Sequence, residues 1–428
     1  MEWNAVTWIF AALIAARLLV EVVVDGLQLR HLARRGDEIP SHLQGRVDPE
    51  TIRRAVAYNR DRLRLGIYRH FHDAALPVSL VAFGFRSLEG LVGRSGLPAS
   101  SFAGGLLFLV LLMILVDLWS LPPSLWSVFV VEARHGFNRR TARIFAADRL
   151  RLLALSLLVG GTVTAAVLLL IRGGGEWWWA MAFAAVAALQ LFFAWIHPRV
   201  IMPRFNRFSP VPADLADDVS RLAGRVGFPL GDVVTMDSSR RSSHVNAFIV
   251  GLRGGRRIVL FDTLVETLPR AGLLAVLAHE LGHFRLGHVR GRVVLALVGL
   301  AAAFALFGWI ERIPAVYLGL GFTQPSAHAA LAVFAVLAAA GSFPFGWMLR
   351  ERSRRDELAA DRFAVEAVGD GRDLAESLVA LSKGNLSSPG SHPWYRSYRN
   401  THPPLRHRLA AIRRHAEGLG LDGPDVSG

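Results

Sequence analysis

The 428-residue chain contains no cysteine. Disulfides and thiolate ligands are therefore excluded, and any bound metal must be held by histidine and carboxylate. Lysine is also scarce, so the net charge of +14 comes almost entirely from arginine. This arginine-heavy, cysteine-free composition points to a bacterial source. Internal repeats, low-complexity tracts and recognisable DNA- or RNA-binding motifs are missing too. The positive charge is accordingly not read as a nucleic-acid surface. A cleavable leader is not expected either. The first apolar stretch follows an acidic Glu2 instead of a basic segment, and it exceeds the usual leader length, so it should stay as an anchor.

Apolar sequence is abundant. Hydrophobic residues make up 52% of the chain, and mean hydropathy is +0.36. Seven stretches are long enough to cross a bilayer: 5–24, 76–95, 102–121, 151–171, 178–197, 292–309 and 327–349. The stretch 76–95 is the weakest, because it carries Arg86 and Glu89. Arginines crowd 25–75, 132–151, 199–292 and 350–414, while 96–101, 172–177 and 310–326 carry few charges. That alternation predicts an outside N-terminus and a cytoplasmic C-terminus. Within the spans, Arg17 and Glu21 are four apart, Arg86 and Glu89 three apart, and Asp117 lies deep in the third. Charges in lipid are costly, so these should pair or face water.

The chemistry is concentrated at His279-Glu280-Leu281-Gly282-His283. Two histidines four apart share one helical face and can reach a single ion. The glutamate between them points to the adjacent side, where it can hold and deprotonate a water. A zinc hydrolase needs a third ligand. The segment 353–361, SRRDELAAD, supplies Glu357 and, one turn on, Asp361. Glu357 completes a two-histidine, one-glutamate set. Asp361 is placed to accept the second ring N–H of a ligand histidine, fixing its tautomer.

The soluble sequence around these motifs reads as one catalytic unit. Pro198 and Pro203 should end the fifth span, and residues 213–226 form an amphipathic helix ending near Gly227. Val245–Val250 and Arg257–Asp262 read as a β-hairpin turning at Arg253-Gly254-Gly255, beside the metal helix. Its edge is suited to bind an extended peptide. The expected division is a membrane unit (1–200), a first peptidase segment (201–290), two further spans (291–349), a second peptidase segment (350–415) and a flexible tail (416–428).

These residues resemble the integral-membrane, zinc-dependent CAAX prenyl endopeptidases. The likeness rests on HELGH at 279–283, SRRDELAAD at 353–361, RSSHVNAFIVGL at 241–252 and RIVLFDTL at 257–264. VEARHGFN at 131–138, FNRFSP at 205–210 and THPPLRHRL at 401–409 extend it over almost the entire chain. The resemblance implies a mainly α-helical polytopic fold, with seven transmembrane helices enclosing a chamber and a gluzincin-like α+β peptidase domain. It implies one zinc held by His279, His283 and Glu357, with Glu280 as catalytic base. It makes Asp361 an essential acid, and Asn246, His402 and Arg408 candidates to stabilise the transition state or hold the peptide. The implied substrate is a lipidated C-terminal peptide. Composition and the arginine distribution, independently of the resemblance, predict a bacterial cytoplasmic membrane with the zinc site on the cytoplasmic side. Damaged membrane protein is the alternative substrate. A non-proteolytic chaperone or transporter with structural zinc is the alternative function, and Glu280 argues against it, because a structural site has no use for a base there.

Overall fold

The computed structural model describes residues 3–36, 38–250 and 256–424. The membrane unit begins with α1 (Ala5–Arg35), whose first N–H groups are capped by Asn4, the Oδ1 accepting from Val6 and Thr7. This helix outruns the apolar stretch that announced it and carries Asp25 and Gln28 on its extension. The second span is one continuous rod, α2 (Pro49–Arg94). The weak stretch 76–95 is its C-terminal part, with Leu80, Val81, Phe85 and Val92 buried. Pro77 lies inside the rod, and three residues on a widened turn follows, in which the Phe85 N–H bonds Leu80 O five residues back.

Helices α3 (Phe102–Glu132), α4 (Ala142–Gly173) and α5 (Gly175–Phe205) follow. Pro198 and Pro203 do not end the fifth span as expected. A second widened turn, Met202 N–H to His197 O, accommodates the missing donors, and the helix runs on to Phe205. The last membrane helices are α8 (His288–Ile310), α9 (Ala327–Gly341) and α10 (Phe343–Val368). The expected single span 327–349 is in fact a bent pair, α9 and the start of α10 meeting at 55° across Ser342. Pro344 lies in the first turn of α10, where a missing N–H costs no helical bond. Among the described residues, six helices are long and apolar enough to cross a membrane, and seven if the bent pair counts as one.

These helices stand as walls. Within each single span's most apolar window, at most 28% of residues are buried, and only 6% in α5. The accessible surface is 21291 Å², against about 16,000 Å² for a compact chain of 46.9 kDa. The surplus matches the low burial of the spans. Several charges on the spans are paired. Arg17 lies 3.5 Å from Glu21, and Asp117 is bound by Arg149 at 2.9 Å. Glu89 pairs with His328 of α9 at 3.0 Å and not with Arg86, drawing two spans together where the sequence suggested a local pair.

The catalytic unit packs α6 (Ala213–Arg225), α7 (Arg270–Arg285), α10, α11 (Arg372–Gly384) and α13 (Leu405–Gly418) around a four-stranded sheet. Its strands are β1 (Phe208–Pro210), β2 (Asp232–Met236), β3 (Ala247–Val250) and β4 (Arg257–Phe261), in the order β1-β2-β4-β3. The expected hairpin forms, with β3 antiparallel to β4 and against α7. Its turn at 253–255 lies outside the described residues. Strand β2, which the sequence reading missed, runs parallel to β4, and both alternate little, as strands covered on both faces do. The start of the expected tail is docked. Ala416 is fully buried, and the Asp422 carbonyl accepts from Gly371 N–H at 2.9 Å.

Candidate metal centre

Helix α7 starts after Pro269 and buries ten of its sixteen residues, from Gly272 to His283. Leu277, Ala278 and Leu281 are sealed in the core, which fixes the rotation that turns His279 and His283 to one side. The partner helix α10 crosses very close. A Cβ added at Gly282 would meet Phe363 Cδ1 at 3.0 Å and Ala360 Cα at 3.3 Å. The glycine of the HELGH motif thus lets the two helices approach until Glu357 reaches both histidines. At Gly287 the chain takes a left-handed turn (φ 75°), closing α7 and restarting as membrane helix α8.

Glu357 Oε1 lies 3.3 Å from His283 Nε2, and Oε2 lies 3.4 Å from His279 Nε2. The two Nε2 atoms are 3.2 Å apart. A tetrahedral ion with ligands at about 2.05 Å sets ligand–ligand spacings of about 3.3 Å, so the donors of these three residues lie within the reach that zinc requires. All three residues are buried, and among the described residues they are the one His/Asp/Glu group within metal-binding reach. Glu357 Oε2 is buried between His279 Nε2 at 3.4 Å and His402 Nδ1 at 2.7 Å, so nitrogen donors surround the carboxylate. Burial opposes charge on His279. Hydrogen bonds to Asp361 and Glu357 outweigh it and lift that imidazole to about 9, so the pocket favours positive charge. With two nitrogens, one carboxylate and no sulfur, the donor set suits zinc.

The two histidines of the group are supported differently. His279 Nδ1 is 2.9 Å from Asp361 Oδ1, a fully buried carboxylate. Asp361 in turn accepts from Arg408 Nε at 2.8 Å and from its terminal nitrogen at 2.6 Å. His283 Nδ1 meets His288 Nδ1 at 3.0 Å, and His288 Nε2 is 3.6 Å from Asp356. His288 and Asp356 escaped the sequence reading. The signal was there in outline: a third histidine closes the run HELGHFRLGH, and Asp356 precedes the glutamate ligand.

The remaining predicted residues divide. Glu280 is half-buried, and burial pushes its carboxyl up, while His279, His283, Glu357 and His402 are near enough to act on it. His402 reaches the centre, its Nδ1 2.7 Å from Glu357 Oε2 with the side chain 62% exposed. Arg408 is turned to Asp361, and its nearest approach to a ligand carboxylate is 3.9 Å, at Glu357. Asn246 stands exposed at the entrance to β3, its Oδ1 accepting from Ala247 N–H. The strand entrance beneath it is fixed by Asn385, whose amide accepts from Val245 N–H at 2.9 Å and donates to Val245 O at 3.1 Å.

Comparison with known proteins converges on one family. Residues 28–207 match the CAAX prenyl protease N-terminal family of five membrane helices, and residues 211–416 match peptidase family M48. The CAAX prenyl protease 1 homolog of Arabidopsis thaliana is 33% identical over 397 residues, covering 90% of this chain and 93% of that one. CAAX prenyl protease 1 of Saccharomyces cerevisiae is 31% identical, covering 88% of each chain. The crystal structure of S. mikatae Ste24p superposes with a TM-score of 0.87 at 28% identity, over 96% of this chain and all of that one. With both halves matched and a common fold from end to end, the chain belongs to the M48 peptidases of the CAAX prenyl protease type and is a multi-pass membrane metalloprotease.

Proposed function

We propose that the protein is a zinc metalloendopeptidase that cuts peptide bonds at the membrane surface, with His279, His283 and Glu357 as zinc ligands and Glu280 as general base. The observation that carries this reading is the convergence of two imidazole Nε2 atoms, 3.2 Å apart, with the two Glu357 carboxylate oxygens at 3.3 and 3.4 Å, on two close-packed helices. Bound there, zinc would polarise the scissile carbonyl and acidify the attacking water. Glu280 accepts the proton of that water and passes it to the leaving nitrogen, a role that burial supports by raising its basicity. Asp361 holds His279 in the tautomer that presents Nε2 inward, and Arg408 keeps Asp361 ionised and oriented. His402, exposed beside Glu357, is placed to offset negative charge on the tetrahedral oxygen. Strand β3 is the sheet edge, and Asn246 at its entrance is suited to hold a peptide backbone there.

The relatives' names point to a prenylated C-terminal peptide as substrate. We further assign the arginine-rich side, with the metal centre, to the cytoplasm of a bacterial cell. Peptidase segments 201–290 and 350–415 then form one unit, interrupted by the spans of 291–349.

Zinc content and cleavage of farnesylated and plain peptides, measured on purified wild type and Glu280→Gln, test the reading. One zinc in each and turnover falling by about 10²–10⁴-fold in the variant is the expected outcome. A variant that cuts at wild-type rate removes Glu280 from the base role. Equal cleavage of plain and farnesylated peptide would favour damaged membrane protein as substrate.

A further inference from the structure

Helix α1 carries a stripe that a membrane span does not need. Glu21, Asp25 and Gln28 lie four and three residues apart, so they share one face, and they are only 8%, 4% and 1% exposed. Buried charge on a span is costly unless it is matched. Here the match comes from more than 350 residues away, at the C-terminal segment that includes α12 (Pro393–Arg399). Arg399 Nε lies 3.1 Å from Asp25 Oδ1, and its terminal nitrogens reach Asp25 Oδ2 at 3.3 Å and Glu21 at 3.9 Å. His70 of α2 stands between the acids, 3.1 Å from Glu21 and 2.7 Å from Asp25. Gln28 completes the stripe, its Oε1 accepting from His392 N–H at 2.7 Å and its Nε2 donating to Gly390 O at 3.0 Å.

The opposite side of the same segment is clamped by α10. Arg354 donates to the carbonyls of Arg396, Ser397 and Asn400, the last at 2.7 Å, and so closes the C-terminal end of α12. Trp347 Nε1 donates to Ser397 Oγ at 2.9 Å. Arg354 precedes the ligand Glu357 by three residues, and His402 follows Asn400 by two. The chain from Gly390 to His402 is therefore a strap, tied at one side to a membrane helix and at the other to the helix that bears a metal ligand.

We infer that Arg399, bound by Asp25 and Glu21 of α1, is a positioning residue that latches this strap and thereby holds His402 at Glu357. Ionic contacts suit a latch, because buried ion pairs add little net stability yet specify one register, and loss of a partner strands a buried charge. The buried acids at the C-terminal end of α1 thus acquire a purpose in the catalytic site. The inference rests on the zinc-peptidase reading for its kinetic consequence, and on geometry alone for the latch.

Because the chain has no cysteine, a single Trp394→Cys on α12, at a position 69% exposed, can carry a spin label in the full-length protein in lipid nanodiscs. The expected spectrum is motionally restricted in the parent. It gains a mobile component in Arg399→Leu and in the shape-preserving Asp25→Asn, and Arg399→Lys stays close to the parent. Without the label, Arg399→Leu should lower kcat about tenfold while KM moves less than about twofold and zinc remains at one per chain. In a His402→Ala background the same change should add less than about twofold, the signature of coupled sites. An unchanged label spectrum in both variants overturns the latch. A full tenfold loss in the His402→Ala background, or loss of zinc, overturns the positioning role. A wild type that neither binds zinc nor cleaves peptide refutes the peptidase reading instead, and the label still decides the latch.

Discussion

The membrane helices and the catalytic helix α7 are built on opposite packing rules. In the spans' most apolar windows no more than 28% of residues are buried, whereas α7 buries ten of its sixteen. A wall between lipid and an inner space needs satisfied backbone bonds and apolar or paired side chains, and little else. A metal triangle must hold three donor atoms to within a few tenths of an ångström. It is therefore placed where Gly282 lets two helices touch and where Leu277 and Leu281 leave no freedom of rotation. The tightest packing is concentrated in one helix pair of the catalytic unit, while the spans are loosely packed.

That contrast can be tested by substitutions on its two sides. Leu277→Ala opens a cavity under the metal helix and should destabilise the catalytic unit by about 2–5 kcal/mol, read as a fall in the unfolding midpoint of the zinc-loaded protein. Asp361→Asn keeps the shape but removes the carboxylate behind His279. Zinc affinity should drop about 10–100-fold in competition with a chelator, and an unchanged affinity would dismiss Asp361 as a tautomer-fixing group. His288→Leu removes the neutral acceptor behind His283 and should weaken zinc by about tenfold, the lower end of the same range, because no charge is lost. Val298→Ala, on a wall residue 59% exposed, should change stability by less than about 0.5 kcal/mol. A larger cost there would mean that the wall is packed after all.

The two motifs that bear ligands were legible because helical spacing fixes local geometry. Residues four apart face together whatever the rest of the chain does, so His279 with His283 and Glu357 with Asp361 followed from counting. The apolar stretches were legible for a similar reason, since the length of a span is set by the bilayer. Their ends were not. Whether Pro198 stops a helix or is absorbed by a widened turn depends on neighbours that a local pattern does not contain. Strand β2 was missed because a buried parallel strand lacks the alternation that marks a half-exposed one. Glu89 was matched to Arg86 by proximity in sequence, while the fold offered His328.

The sequence by itself determined that this chain crosses a membrane repeatedly, cannot use cysteine to hold a metal, and carries the HELGH histidines and the Glu357–Asp361 pair at helical spacing. Tertiary structure alone decided that Glu357 meets the two histidines, that Arg408 serves Asp361, that His288 backs His283, and that Arg399 reaches Asp25 across the molecule. The physical reason is range. Helical periodicity and hydropathy act over a few residues and are written locally. Contacts between distant segments depend on how close two helices can pack, and that closeness is settled by small residues such as Gly282 and Ala360 only once the whole chain has folded.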